Sequence, residues 1–275
     1  MKINYLFITI VILSIFASIT VSANNDRKKA LKNLEILGIA YTADKYIETI
    51  KSEDIQTVIL FINAGMDVDS QSENGTTSLL WAVSYSKPKL IKLLIENGAT
   101  IDAKNDKKTT PLMVAALNGN YKIAELLIIN GANVNSQRIN GETPLFLASQ
   151  EGHLDMVKLL VSKGANIHSK NSLGWPPLFI AIQGGHNDVV KYFIDSGFDI
   201  NKDSGGNTPL LLAVANNQEE TVRLLINNGV NVNLRAPDGS TALIMAELIN
   251  NKKIEEILLS SGATRDENWG DNKKQ

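Results

Sequence analysis

Asn140–Asn166, NGETPLFLASQEGHLDMVKLLVSKGAN, holds one complete structural unit. Thr143 stands where a hydroxyl can cap a helix, and Pro144 takes the first helical position, where its missing N–H is no loss. Leu145 and Ala148 then face inward. Gly152 ends this helix, and a second starts at about Leu154 with Val157, Leu159 and Leu160 on its buried side. Gly164 supplies the left-handed turn that helix C-termini favour. Residues 165–171 are read as an extended arm and Leu173-Gly174 as the tip of a hairpin-like loop.

The unit recurs along the chain. Glycines of the second turn fall at Gly65, Gly98, Gly131, Gly164, Gly197, Gly229 and Gly262, 33 residues apart except for 32 between Gly197 and Gly229. Inward leucines keep the same step at Leu79, Leu112, Leu145, Leu178, Leu210 and Leu243. One helix pair cannot bury its own apolar face, so the copies must stack into a solenoid. TPLFLASQEGH, TPLMVAALNGN and TPLLLAVANNQ at matched spacing resemble the ankyrin repeat, over Tyr41 to Ala263. The resemblance implies an all-α ankyrin-repeat solenoid of helix-turn-helix units with hairpin-like loops.

The expected organisation places a capping helix at 24–40, with Ala30, Leu31, Leu34 and Leu37 at helical spacing. A degenerate N-terminal capping repeat follows at 41–73, with Tyr46 in place of leucine and Thr49 in place of alanine. Repeats occupy 74–264: five full units and a C-terminal unit from 238, whose Glu247, Lys252, Lys253, Glu255 and Glu256 suit a solvent-facing cap. Residues 265–275 read as a flexible tail in which Trp269 can dock back on the cap. The missing residue between Gly197 and Pro209 shortens one loop, so Asp203 to Asn207 is expected to be flexible. Pro176 replaces a capping threonine, and Pro88 falls where a second helix can begin.

At the N-terminus, Lys2 precedes an apolar run from Ile3 to Ile19, small residues lead to Ala23, and polar sequence begins at Asn24. These are the parts of a signal peptide, 1–23, with cleavage after Ala23. An uncleaved anchor is the alternative, since roughly 17 apolar residues reach the lower limit for a membrane-spanning helix. The mature chain is expected to be exported, periplasmic first, secreted or anchored as alternatives, and not membrane-bound after cleavage. Its composition and degenerate first repeat resemble exported bacterial ankyrin proteins.

Chemistry is poorly provided for. The chain has no cysteine, which excludes disulfides and thiolate sites, and only His153, His168 and His186. His153 and His186 follow glycine at equivalent positions, where the ankyrin pattern itself carries a histidine, so a structural role is expected rather than a metal site. No phosphate-binding loop, HExxH or Gly-x-Ser-x-Gly elbow occurs, and the neighbours Glu219-Glu220 and Glu255-Glu256 diverge on helices. No cofactor and no catalytic residue are expected. A net charge of −2 gives no field for nucleic acid.

The function expected is a monomeric, non-catalytic module that binds a protein partner. Two partners are considered: another exported protein that it binds or protects, including a toxin for which it serves as inhibitor or immunity partner, or a eukaryotic host protein met by a secreted effector. By resemblance, ankyrin domains bind through loop tips and the first helix of each pair. The candidate tip residues are Lys107, Lys108, Ile139, Asn140, Glu142, Leu173, Trp175 and Asn207. On the helix face they are Tyr85, Gln150 and Glu151. Trp175 beside Ile139 and Leu173 has the composition of an interface anchor, or else it covers the weakened helix start at Pro176-Pro177. Phe146 and Phe179 are expected to pack between repeats.

Overall fold

The computed structural model describes residues 22–202, 204 and 206–265. The expected signal segment up to residue 21, the tail with Trp269, and Asp203 and Gly205 in the shortened loop lie outside them. Fifteen helices and no strand are present among the described residues. The chain divides into two compact units, one ending at Asp106 and one starting at Lys107.

The first unit opens with α1 (22–36), followed by α2 (Ala43–Ser52), α3 (Ile55–Asn63), α4 (Ser78–Ser84) and α5 (Pro88–Glu96). Thr42 and Asp54 cap α2 and α3 through their side chains, at 3.2 Å to Lys45 N and 3.1 Å to Thr57 N. Ala30 and Leu34 of α1 are buried. The expected fourth contact, Leu37, is instead 59% exposed, because α1 stops at residue 36 and Gly38 turns the chain left-handed (φ 66°). Arg27 Nε donates to Ala64 O at 3.0 Å, and Tyr41 Oη donates to the same carbonyl at 3.1 Å. A cation thus sits at the negative end of α3, where the helix dipole favours it. Tyr46 is fully buried against Phe61 (centroids 5.5 Å apart), and burial raises its phenol to about 12.

The second unit holds five helix pairs. The first helices are α6 (Pro111–Leu117), α8 (Pro144–Gln150), α10 (Pro177–Gly184), α12 (Pro209–Ala215) and α14 (Ala242–Leu248). The second helices are α7 (Tyr121–Ile129), α9 (Leu154–Ser162), α11 (Asn187–Asp195), α13 (Glu219–Asn227) and α15 (Lys252–Ser260). Like packs on like, so the unit is a two-layered stack with its core between the layers. Leu112, Leu145, Leu178, Leu210 and Leu243 lie in that core, as do Phe146 and Phe179. Helices of seven to nine residues are too short to persist alone, so burial of these side chains holds them.

Helix starts differ in one respect from expectation. Thr110, Thr208 and Thr241 cap α6, α12 and α14 through the hydroxyl, and Thr77 does so for α4. Thr143 has the extended cap backbone, but its hydroxyl makes no cap hydrogen bond, and nothing in the surrounding structure explains this. Pro176 likewise leaves α10 without one, while Pro88 opens α5 as anticipated. The loops between pairs are turns rather than paired strands; single bridging pairs join Gln71 to Thr77 and Ser204 to Asn207.

The C-terminal cap is more closed than its sequence suggests. Glu255, expected to face solvent, is buried between Lys252 Nζ (2.8 Å) and Arg265 (2.6 Å), and Arg265 also reaches Glu247 at 3.1 Å. The Lys252 hydrogen bond, then that from Arg265, holds the Glu255 carboxyl below its ordinary range. Glu219 is held down in the same way by Lys253 and Arg223, which ties α13 to α15.

Candidate functional site

Two ladders of hydrogen bonds tie successive repeats together, and they account for the histidines. His153 Nε2 lies 3.1 Å from Leu117 O and His186 Nε2 lies 2.8 Å from Gln150 O. A carbonyl can only accept, so each ring donates its Nε2–H to the last turn of the preceding first helix. Gln218 Nε2 donates to Gln183 O at 3.2 Å, and Asn251 donates to the side chain of Asn217, so neutral amides take over the same task farther along. In the first unit an ion pair does so, Lys87 to Glu53 at 2.7 Å. Among the described residues no group of three or more histidine or acidic side chains is placed to hold a metal.

The second ladder runs along the loops. Asn135 Oδ1 accepts from Asn166 N at 2.9 Å, Asn201 Oδ1 from Asn231 N at 2.7 Å and Asn233 Oδ1 from Thr264 N at 2.8 Å. His168 occupies this position in its repeat. It is exposed, as expected, yet its ring rests on that of Phe198, 5.1 Å away, where the other repeats carry alanine, valine or, in the first, Met66. A ring contact thus replaces the amide bond.

With those groups engaged, the candidate residues separate into two sets. Ile139 and Leu173 stand at neighbouring tips, 68% and 64% exposed, and the tips are joined by Ser172 N donating to Asn140 O at 2.9 Å. Lys107 O accepts from Ile139 N at 3.3 Å, which brings the preceding loop alongside. Lys107, Arg138, Ile139 and Asn140 line a shallow cleft of about 360 Å³. Lys108 beside it is exposed, with a left-handed backbone (φ 57°). Gln150, the last residue of α8, and Glu151 after it are exposed and bonded to each other at 2.9 Å.

Four candidates serve the loops instead. Trp175 is not an open anchor. It is half-buried, tilted over Phe179 with centroids 6.1 Å apart, and its N–H donates to Asn171 Oδ1 at 3.0 Å. Its ring is thereby placed beside Phe179 in the first turn of α10, a helix that starts without a side-chain cap hydrogen bond. Glu142 forms an ion pair with Arg138 across its own tip. Asn140 Oδ1 accepts from Arg138 Nε at 3.1 Å, so this amide braces the cleft wall. Asn207 closes the shortened loop against Ser204, its N–H donating to Ser204 O at 3.2 Å.

In the first unit, Tyr85 is 49% exposed and stacks on Trp81 at 5.6 Å with the rings 15° apart. Lys51 Nζ lies 4.2 Å from the Trp81 centroid. Asp44, Ile47, Lys51, Ser72, Glu73, Asn74 and Trp81 line a cleft of about 460 Å³ there. Trp81, Lys51 and Arg138 escaped the sequence reading. Trp81 and Tyr85 are one helical turn apart, and that spacing was the available signal; Lys51 comes from the preceding repeat and carried none.

A two-layered stack of short helix pairs with engaged inter-repeat ladders and projecting loops defines a repeat scaffold. The family model for ankyrin repeats (3 copies) matches residues 47–138, 130–204 and 199–269, and the chain belongs to the ankyrin-repeat family. Ankyrin repeats are general protein–protein interaction modules, typically without enzymatic activity. No curated protein matches the chain. No helix among the described residues is long and apolar enough to cross a membrane.

Proposed function

We propose that this chain is an exported, non-catalytic module that binds a protein partner through the loop tips of its second unit, with Tyr85 as a further contact in the first. One observation carries the reading: Ile139 and Leu173 project from adjacent tips while Arg138, Asn140 and Glu142 are bonded to one another and brace the loop. Exposed aliphatic side chains held on a braced backbone lose little freedom on binding, which is what an interface requires. Export rests on the sequence from Lys2 to Ala23, and an exported protein that this module protects is the partner class favoured.

Photo-crosslinking in the native cell tests it. A crosslinking residue at Ile139 or Leu173 is expected to capture a protein in the exported fraction, whereas one at Ile129, 73% exposed on α7, is not. Equal capture at all three sites, or none at the tips, overturns the assigned surface. Mass spectrometry of the isolated protein is expected to find a chain starting at Asn24; retention of Lys2 overturns cleavage.

A further inference from the structure

An asparagine followed by glycine is prone to lose its side-chain amide without an enzyme, because the glycine nitrogen can approach the asparagine Cγ with no side chain in its way. The chain holds six such pairs, at Asn74, Asn97, Asn118, Asn130, Asn140 and Asn228. Whether a pair reacts in the folded protein depends on what holds its two groups apart.

Five of the six side chains are held. Asn97, Asn130 and Asn228 cap the ends of α5, α7 and α13, and each Nδ2 donates to the carbonyl four residues back, at 2.8 Å to Leu93 O, 2.8 Å to Leu126 O and 2.7 Å to Leu224 O. Asn74 Oδ1 accepts from Ser72 Oγ at 2.6 Å, and Asn140 Oδ1 accepts from Arg138 Nε at 3.1 Å. Asn118 differs. It caps the end of α6 with an exposed side chain that makes no hydrogen bond among the described residues. The glycine after it is also the least restrained: Gly119 N–H reaches Ala116 O at 3.3 Å, whereas the glycine N–H of each other pair donates at 2.9 or 3.0 Å.

We propose that Asn118 is a modification site, converted in the folded chain to aspartate or isoaspartate ahead of the other five. Cyclisation requires Asn118 to leave its cap conformation, and a helix end without a side-chain bond opens most readily. The Gly119 nitrogen then gives its proton to water and attacks Asn118 Cγ; the Cγ–Nδ2 bond breaks, and ammonia leaves behind a succinimide. Water opens that ring at either carbonyl. One opening gives aspartate, the other isoaspartate, in which the backbone runs through the former side chain. Either product places a carboxylate where Glu151 stands in the next repeat, so the modification makes the row of first-helix ends more acidic. Isoaspartate also lengthens the backbone beside Leu117, whose carbonyl accepts from His153, and so loosens that rung between repeats.

The test is a time course of the purified chain kept folded at mildly alkaline pH, digested and read by peptide mass spectrometry. A gain of about 1 Da is expected first at Asn118. In urea, where no side chain is held, that preference is expected to disappear. An Asn118→Gln variant closes the corresponding ring far more slowly. It is a surface change, so it is expected to keep the wild-type circular dichroism while losing the first acidic band on isoelectric focusing. Earlier conversion at any other pair, or an intact Asn118 while the chain in urea converts, overturns the proposal. The same order of conversion in urea as in the folded chain would place the cause in the neighbouring sequence and overturn it too.

Discussion

Gly152 shows how one residue serves two constraints. Its backbone is left-handed (φ 71°), and a Cβ placed there would meet the His186 ring at 2.4 Å. Gly131 is equally left-handed (φ 94°) but opens onto empty space. Gly131→Ala is therefore expected to cost about 1 kcal/mol, from backbone strain alone. Gly152→Ala is expected to cost about 1 kcal/mol more, because the imidazole must leave the Gln150 carbonyl. Urea unfolding of both variants measures the difference, and the excess should vanish when His186→Ala is the background. An excess that survives would mean that the ring is not what Gly152 accommodates.

At the scale of the helix, the start of each pair depends on whether a hydroxyl reaches the third amide. Thr110 Oγ1 lies 3.4 Å from Met113 N, whereas Thr143 makes no such bond. Thr110→Ala is expected to destabilise by about 1 kcal/mol and Thr143→Ala by measurably less. Equal losses in thermal unfolding would show that the threonines act through packing rather than through the cap. Where Pro176 offers no hydroxyl to cap α10, the neighbouring Trp175 ring packs beside Phe179 of that helix's first turn.

Over the whole molecule, stability is expected to fall in acid. Glu219 and Glu255 titrate below their ordinary value in the folded state, each through a lysine first, Lys253 and Lys252 respectively. The unfolded chain therefore binds more protons as pH drops through the ordinary carboxylate range. The stability these groups contribute is present above that range and is lost as pH falls through their folded values. Thermal midpoints measured from about pH 6 down to about pH 3 should decline more steeply for the native chain than for Glu255→Gln. Superimposable slopes would remove Glu255 from the cap.

The repeat, the helix order and the apolar core could be read from the letters alone. A period of 33 residues, with proline at the first helix start in four copies and glycine at the second turn in all, expresses local backbone preferences that the copies restate. The positions of Leu145, Phe146 and Gly164 followed from it. Which loop residues face a partner depended on contacts between copies, which no spacing encodes. Trp175 and Leu173 are two residues apart in one tip, and both look like anchors in a string of letters. Only packing shows that Phe179 takes the first ring while the second side chain stays in water. Glu142 and Glu255 were legible as charges, but not as the partners of Arg138 and Arg265. An ion pair is decided by where two chain segments meet, and that is settled when the repeats stack.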